Sequence, residues 1–399
     1  MTVPKAPAPR SIPTGPQGRG DDDELILTNA RVVTPGGVTH GHVVVREGTI
    51  AEVGEGETRA PGAIDLDGDL LTPGLVELHS DNLEHHVQPR PKVQWPFLPA
   101  IMAHDAQIAG AGITTILDAL RLGDDDVGGA AGHNAQLVDA IAEAGRRNML
   151  RAEHLLHIRA ELPVPDLADA VEPFTWNPSL RLVSLMDHSP GQRQFQDIEV
   201  WKTYYRGKFG YTEEQLAKLA GELQDRAATH GARNRKALAK LCVDHYIPLA
   251  SHDDTTVEHV TEAAELGVSV SEFPTTLAAA HAAHHAGIAT VAGAPNVVRG
   301  GSHSGNVAAE ELVAAGVLDS LSSDYVPVSL LHSVFVLHRK TGADLSDLFA
   351  LVTRNPARMV GLTDRGEVAP GQRADLLRVR DQGDAPVVCT VWRAGRRVA

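Results

Sequence analysis

The sequence predicts an α/β fold: a (β/α)8 TIM-like barrel with a small β-sandwich domain built from both termini. Three observations predict it. After Pro73, short apolar strands alternate with Ala-rich helical stretches through eight repeats. His, Asp and Glu gather at the C-terminal ends of those strands, the face on which such barrels carry their chemistry. Strand character without helices fills 24–72 and returns over 365–399.

Taken in order, residues 1–23 are rich in Pro and Gly, with Lys5, Arg10 and Arg19 but no apolar run. They read as a disordered tail, not a signal peptide. Short strands follow: Leu25-Ile26-Leu27, Arg31-Val32-Val33, His42-Val43-Val44-Val45 and 49–53, separated by Gly and Pro. The barrel strands are expected to end near His79, Asp118, Glu161, His188, His252, Glu272, Ala294 and Asp324, with helices such as 134–147, 256–266 and 277–287 between them. Residues 192–243 form a polar helical insertion containing Trp201, Tyr204 and Tyr205. Residues 374–379 and 387–392 return to strand. The expected units are 24–72 plus 365–399 as the β-domain and 73–364 as the barrel.

Composition narrows the class. The 399 residues suffice for two units. Aromatics are only 4% while Ala, Gly and Val abound, which favours close helix–strand packing over an all-β fold. Two cysteines, Cys242 and Cys389, imply no disulfide framework, so a reducing, cytoplasmic setting is expected. A net charge of −15 argues against nucleic-acid binding. No apolar run approaches the ~18 residues of a membrane span. The oligomeric state stays open, a homo-oligomer included.

The run 70–82 feeds His79-Ser80-Asp81 off an apolar strand. Two residues apart on an extended backbone, the imidazole and the carboxylate point the same way and suit a divalent cation. His188 and His252 at neighbouring strand ends would complete such a site, or hydrogen-bond behind it, as would Asp187, Asp253 and Asp254. His85 and His86 read as support or surface. Glu153 and His157 read as structural groups, and Glu272 either faces the site or caps the next helix.

Leu71-Thr72-Pro73-Gly74-Leu75-Val76-Glu77-Leu78-His79, Thr353-Arg354-Asn355-Pro356-Ala357-Arg358 and Gly366-Glu367-Val368-Ala369-Pro370-Gly371 resemble the amidohydrolase superfamily. Within it, His79-Ser80-Asp81-Asn82-Leu83-Glu84, Ser184-Leu185-Met186-Asp187-His188-Ser189-Pro190-Gly191-Gln192-Arg193, Ala250-Ser251-His252-Asp253-Asp254 and 293–306 are similar to the PhnM-type diphosphatases of the carbon–phosphorus lyase pathway. That group cleaves α-D-ribose 1-methylphosphonate 5-triphosphate to the 5-phosphate and pyrophosphate. The superfamily's usual His-x-His is His-x-Asp here, as in that group.

The resemblance implies a divalent metal, zinc first, with manganese or magnesium as alternatives and one or two ions. It implies His79, Asp81, Glu161, His188, His252 and Asp324 as ligands, with Glu161 bridging. Asp324 would also accept the proton of the attacking water. A triphosphate needs cations and N–H donors. Arg90 and Lys92 between prolines, Arg193 and Lys202 of the insertion, and Arg299, Ser302, His303 and Ser304 of the Gly-rich loop are the expected substrate-binding residues. The alternatives are a C–N hydrolase (deacetylase or deaminase) using the same ligands, and a non-enzymatic scaffold of a phosphonate-processing assembly.

Overall fold

The computed structural model describes residues 24–90, 93–122, 131–195, 197–302 and 305–399. The expected tail, 1–23, lies outside them. Both ends of the chain build one sheet. Its strands are β1 (Glu24–Thr34), β2 (Gly37–Arg46), β3 (Thr49–Glu55), β4 (Ile64–Asp65), β5 (Leu70–Pro73) and, from the C-terminal end, three more introduced below. Two strands expected separately, at 25–27 and 31–33, are the single β1. Thr28-Asn29 has turn chemistry, but here it makes a bulge: Asn29 takes φ 53° and its amide reaches Asp65 at 2.7 Å.

The second sheet is the barrel: β6 (Leu75–Ser80), β7 (Ile113–Leu122), β8 (Glu153–Glu161), β9 (Leu180–Met186), β10 (Leu249–His252), β11 (Val270–Glu272), β12 (Ala289–Gly293) and β13 (Ser320–Ser322). Each pairs in parallel with the next. The seam between β13 and β6 is closed by a parallel bridge, Ser80 to Asp324, and by Asp81 N–H donating to the Asp324 carbonyl at 2.9 Å. Val76, Leu78, Leu117, Leu155, Leu182, Val270 and Val291 fill the lower interior, plugged by Ala357, Val360 and Leu362. Strand alternation then stacks polar residues above this apolar layer. On β6 the register slips between Glu77 and Ser80, an irregularity that spans Leu78 and His79, where the apolar floor gives way to the polar face.

The chain ends in β14 (Leu376–Asp381), β15 (Pro386–Arg393) and β16 (Arg396–Arg397), which complete the terminal sheet in the order β16-β15-β14-β5-β1-β2-β3, with β4 beside β1. β5 joins the two halves, parallel to β1 and antiparallel to β14. A bridge from Thr49 to Arg373 brings the far sides together, so the sheet closes over Leu27, Val32, Val43, Ile50, Leu71, Leu376 and Trp392.

The insertion contributes helices Ile198–Phe209 and Glu213–Arg226, which pack around buried Trp201, Phe195 and Leu216. Helix Ala232–Asp244 instead lays Leu238, Ala239 and Cys242 on the barrel's outer core. Among the described residues no helix is long and apolar enough to cross a membrane.

Candidate metal centre

Glu272 at the end of β11 is the hub of the site. It is fully buried and accepts from three strands: His79 Nδ1 at 3.0 Å, His252 Nδ1 at 3.3 Å and Ser184 Oγ at 2.5 Å. Burial opposes its charge, yet His79 and His157 hold its carboxyl well below the usual range. A carboxylate on Nδ1 fixes ring orientation and leaves Nε2 for a ligand. The two rings stack with centroids 5.5 Å apart. His79 Nε2 stands 3.7 Å from Asp81, and His252 Nε2 stands 3.5 Å from Asp253. Glu272 therefore orients the His79 and His252 imidazoles; the following helix is capped by Thr276 instead.

Two donor groups result. His79, Asp81 and Asp324 converge across the barrel seam, and His188, His252 and Asp253 converge beside them. Within each, one ligand atom per residue lies within 4.8 Å of the others. Glu161 adjoins the second group, its carboxylate 2.6 Å from His188 Nδ1. Burial would raise the Glu161 carboxyl, but His188 brings it to about 2. Burial and the neighbouring Asp81 carboxylate push Asp324 up to about 6. Imidazoles with carboxylates, held inside a barrel mouth, are the donor chemistry that divalent transition metals take. The residues present fit the group.

The backbone at this face is strained. Asp253, Phe273 and Asp324, each just beyond a barrel strand, have φ of 55°, 52° and 53°. Asp tolerates that region; a bulky Phe there is an outlier of the kind that clusters at working sites. The Phe273 ring packs edge-on against both His79 and His252.

His157, read as structural, has both ring nitrogens engaged: its Nδ1 meets the Leu78 carbonyl at 3.0 Å, its Nε2 meets Ser184 at 2.6 Å, and burial pushes it down to about 3. Glu153 lies at the opposite end of β8, bonded to Arg365 and Arg373 below the barrel.

The expected substrate cations are dispersed. Arg193 is buried and paired with Asp254, so it braces the insertion against β10 and does not reach over the mouth. Lys202 pairs with Glu199 on its own helix at 2.6 Å. Arg90 and Arg299 are exposed, and Ser302 is partly buried. Lys92, His303 and Ser304 lie outside the described residues. The Gly-rich loop opens as a cap: Gly300, at φ 82°, ends helix Ala294–Arg299. The helix after the loop, Ala309–Ala314, carries Glu310 and Glu311 in its first turn, which disfavours the anion site expected at its start.

Sequence reasoning missed two groups. Arg121 and Arg159 are paired residues of β7 and β8, and Arg159 is bonded to Asp81. Their signal was available: a cation at an inward strand position is rare unless something anionic faces it. The second is a network behind the site. Asp118 on β7 bonds His104 Nε2 and His154 Nδ1, both at 2.8 Å, and His154 Nε2 is 3.3 Å from Asp105. Asn82, next to Asp81, bonds His104 at 2.9 Å. All these acceptors are mutually satisfied.

Comparison with known proteins places this geometry. A model described as "Amidohydrolase family" matches residues 213–399. The Escherichia coli (strain K12) protein named alpha-D-ribose 1-methylphosphonate 5-triphosphate diphosphatase is 44% identical over 381 residues, covering 94% of this chain and 100% of that protein. Among solved structures, N-acetyl-D-glucosamine-6-phosphate deacetylase from Mycobacterium smegmatis superposes with a TM-score of 0.61 at 16% identity, over 94% of this chain and 100% of its own. Dihydropyrimidinase from Brevibacillus agri NCHU1002 gives 0.60 at 11%, over 94% of each. These two speak for the fold.

Proposed function

The chain belongs to the amidohydrolase family, and from that premise we propose that it hydrolyses α-D-ribose 1-methylphosphonate 5-triphosphate to the 5-phosphate and pyrophosphate. One observation carries this reading: the match to a diphosphatase of that specificity runs the whole length of the relative. The donor set supports it, because His79, Asp81, His188, His252 and Asp324 meet at one face.

His79, Asp81 and Asp324 would hold one divalent cation, and His188 and His252, with Glu161 or Asp253, a second. Zinc suits these imidazole and carboxylate donors; manganese and magnesium are the alternatives to compare. A divalent metal held by these residues would supply Lewis acidity toward a phosphoryl oxygen and make water acidic enough to attack near neutral pH. The Asp324 carboxylate, at the strand end beside Asp81, would accept the proton of the attacking water. Glu272 keeps both imidazoles from turning as charge shifts among their neighbours.

The free cysteines support a reducing, cytoplasmic location. The test of function is metal analysis of the purified protein, followed by ³¹P NMR with the ribose phosphonate triphosphate in ¹⁸O-labelled water. Pyrophosphate should form in one step, with the label in the 5-phosphate. Successive release of orthophosphate, or inertness toward this substrate with turnover of an amide or amine, would displace the reading toward another bond.

A further inference from the structure

Arg121 and Arg159 stand directly opposite each other in the β7–β8 ladder. Two rungs below, Ala119 faces His157, and two rungs lower still Leu117 faces Leu155 in the apolar floor. By strand alternation both arginines belong to the inward-facing column. Arg159 is 5% exposed; its guanidinium bonds Asp81 and its Nε lies 3.4 Å from the Met186 sulfur. Arg121 is within electrostatic range of Asp81, Glu161 and Arg159.

Two like charges side by side in a barrel repel, and the repulsion grows with burial. Carboxylates within electrostatic range of the pair include Asp81, Glu84 and Glu161, and Asp81 and Glu161 have other business. Asp81 is in the donor group with His79 and Asp324, and Glu161 is bonded to His188. With those two carboxylates serving a cation, the paired arginines would keep two positive charges on the inward column beside the donor group, a setting that suits a phosphoryl anion. Planar guanidinium forks match the spacing of phosphoryl oxygens, which an ammonium would meet only as a point charge.

We propose that Arg121 and Arg159 form a two-guanidinium cradle for the phosphoryl group that reacts. The proposal rests on the phosphoanhydride reading above. It selects the α-phosphoryl because Arg159 and the donor group share Asp81. A group touching both the cradle and the donor set is the one attacked, and the distal phosphates then extend toward the mouth. The cradle binds the non-bridging oxygens and offsets their charge as the anhydride bond breaks. Arg159 also steadies Asp81, so Arg121 is the cleaner probe.

The experiment uses metal-loaded enzyme and the variants Arg121→Gln, Arg121→Lys, Arg159→Gln and Arg159→Lys. It reads metal content, calorimetric affinity for inorganic phosphate and for methylphosphonate, and kcat and KM on the triphosphate. Arg121→Gln should keep its metal and lose roughly tenfold to a hundredfold in phosphate affinity, the loss expected for one charge-assisted contact. Its kcat/KM should fall at least as far, and lysine should restore part of both. Unchanged phosphate affinity in both glutamine variants overturns the cradle. So does loss of metal in step with activity, which would make the arginines mere supports of Asp81. Weakened methylphosphonate with unchanged phosphate would assign the pair to the phosphonate end, which also overturns it. If wild-type enzyme releases no pyrophosphate, the functional reading fails by itself, and the phosphate titration still decides the cradle.

Discussion

Replacing His79 or His252 by Ala should abolish bound metal and most turnover while leaving a folded protein. Asp324→Asn should keep the fold and lower kcat by roughly 10²–10⁴, the range for losing a positioned proton acceptor. Circular dichroism, metal analysis and kcat check these together, and wild-type turnover in a variant removes that residue from the site. These donors were legible because each ends an apolar strand. The hub role of Glu272 was not, since three strands must meet before its two oxygens have partners. Arg193 misled for a similar reason: its partner Asp254 is 61 residues away. The network behind the site gives a pH prediction. Burial opposes a charged His154, but Asp118 and Asp105 raise it to about 9. His104 and Arg151 also face these carboxylates. A raised histidine contributes stability that is fully present below its unfolded value of about 6.5 and is lost as pH rises through about 9. Wild-type protein should lose about 3 kcal/mol over that window in urea titrations. His154→Gln should start less stable and show a flatter profile, and parallel curves would refute the pairing.

At the scale of elements, periodicity located the strands well because buried parallel strands are apolar throughout and the helices between them are Ala-rich. It failed where polar residues sit inside an element. Thr28-Asn29 reads as a turn, but the neighbouring strands hold β1 straight through it. The motif beginning at Gly366 was legible as a pattern without its cause. The structure supplies one: Gly366 has φ 94°, and a Cβ there would stand 2.7 Å from the Arg354 Cα. The chain must pass that close to let the helix Arg354–Met359 plug the barrel floor. Gly366→Ala should cost about 2–4 kcal/mol through overpacking and backbone strain. A thermal midpoint within a degree or two of wild type would show that the turn can relax.

For the molecule as a whole, the terminal sheet and the barrel are clasped beneath the floor. Glu153 from β8 meets Arg365 at 2.5 Å and also Arg373, while Thr115 accepts from both arginines. Burial opposes the Glu153 charge, but Arg373 and Arg365 bring its carboxyl to about 2. Its contribution is therefore present above the ordinary glutamate range, near 4.3, and fades as pH falls through about 2. Glu153→Gln removes the carboxylate shared by Arg365 and Arg373, which keep Asp364 and Asp375, and should cost about 1–3 kcal/mol, with kcat unchanged. Equal unfolding free energies would dissolve the clasp as a stabilising feature. The seam of the barrel has a consequence in time. His79 and Asp81 emerge early from the ribosome, but their companion Asp324 is joined to them only across the β6–β13 closure. A nascent chain that has not yet delivered β13 carries half a receptor. A cation at His79, Asp81 and Asp324 would therefore find its full donor set only once β13 has closed on β6, whereas His188, His252 and Asp253 come together without that closure.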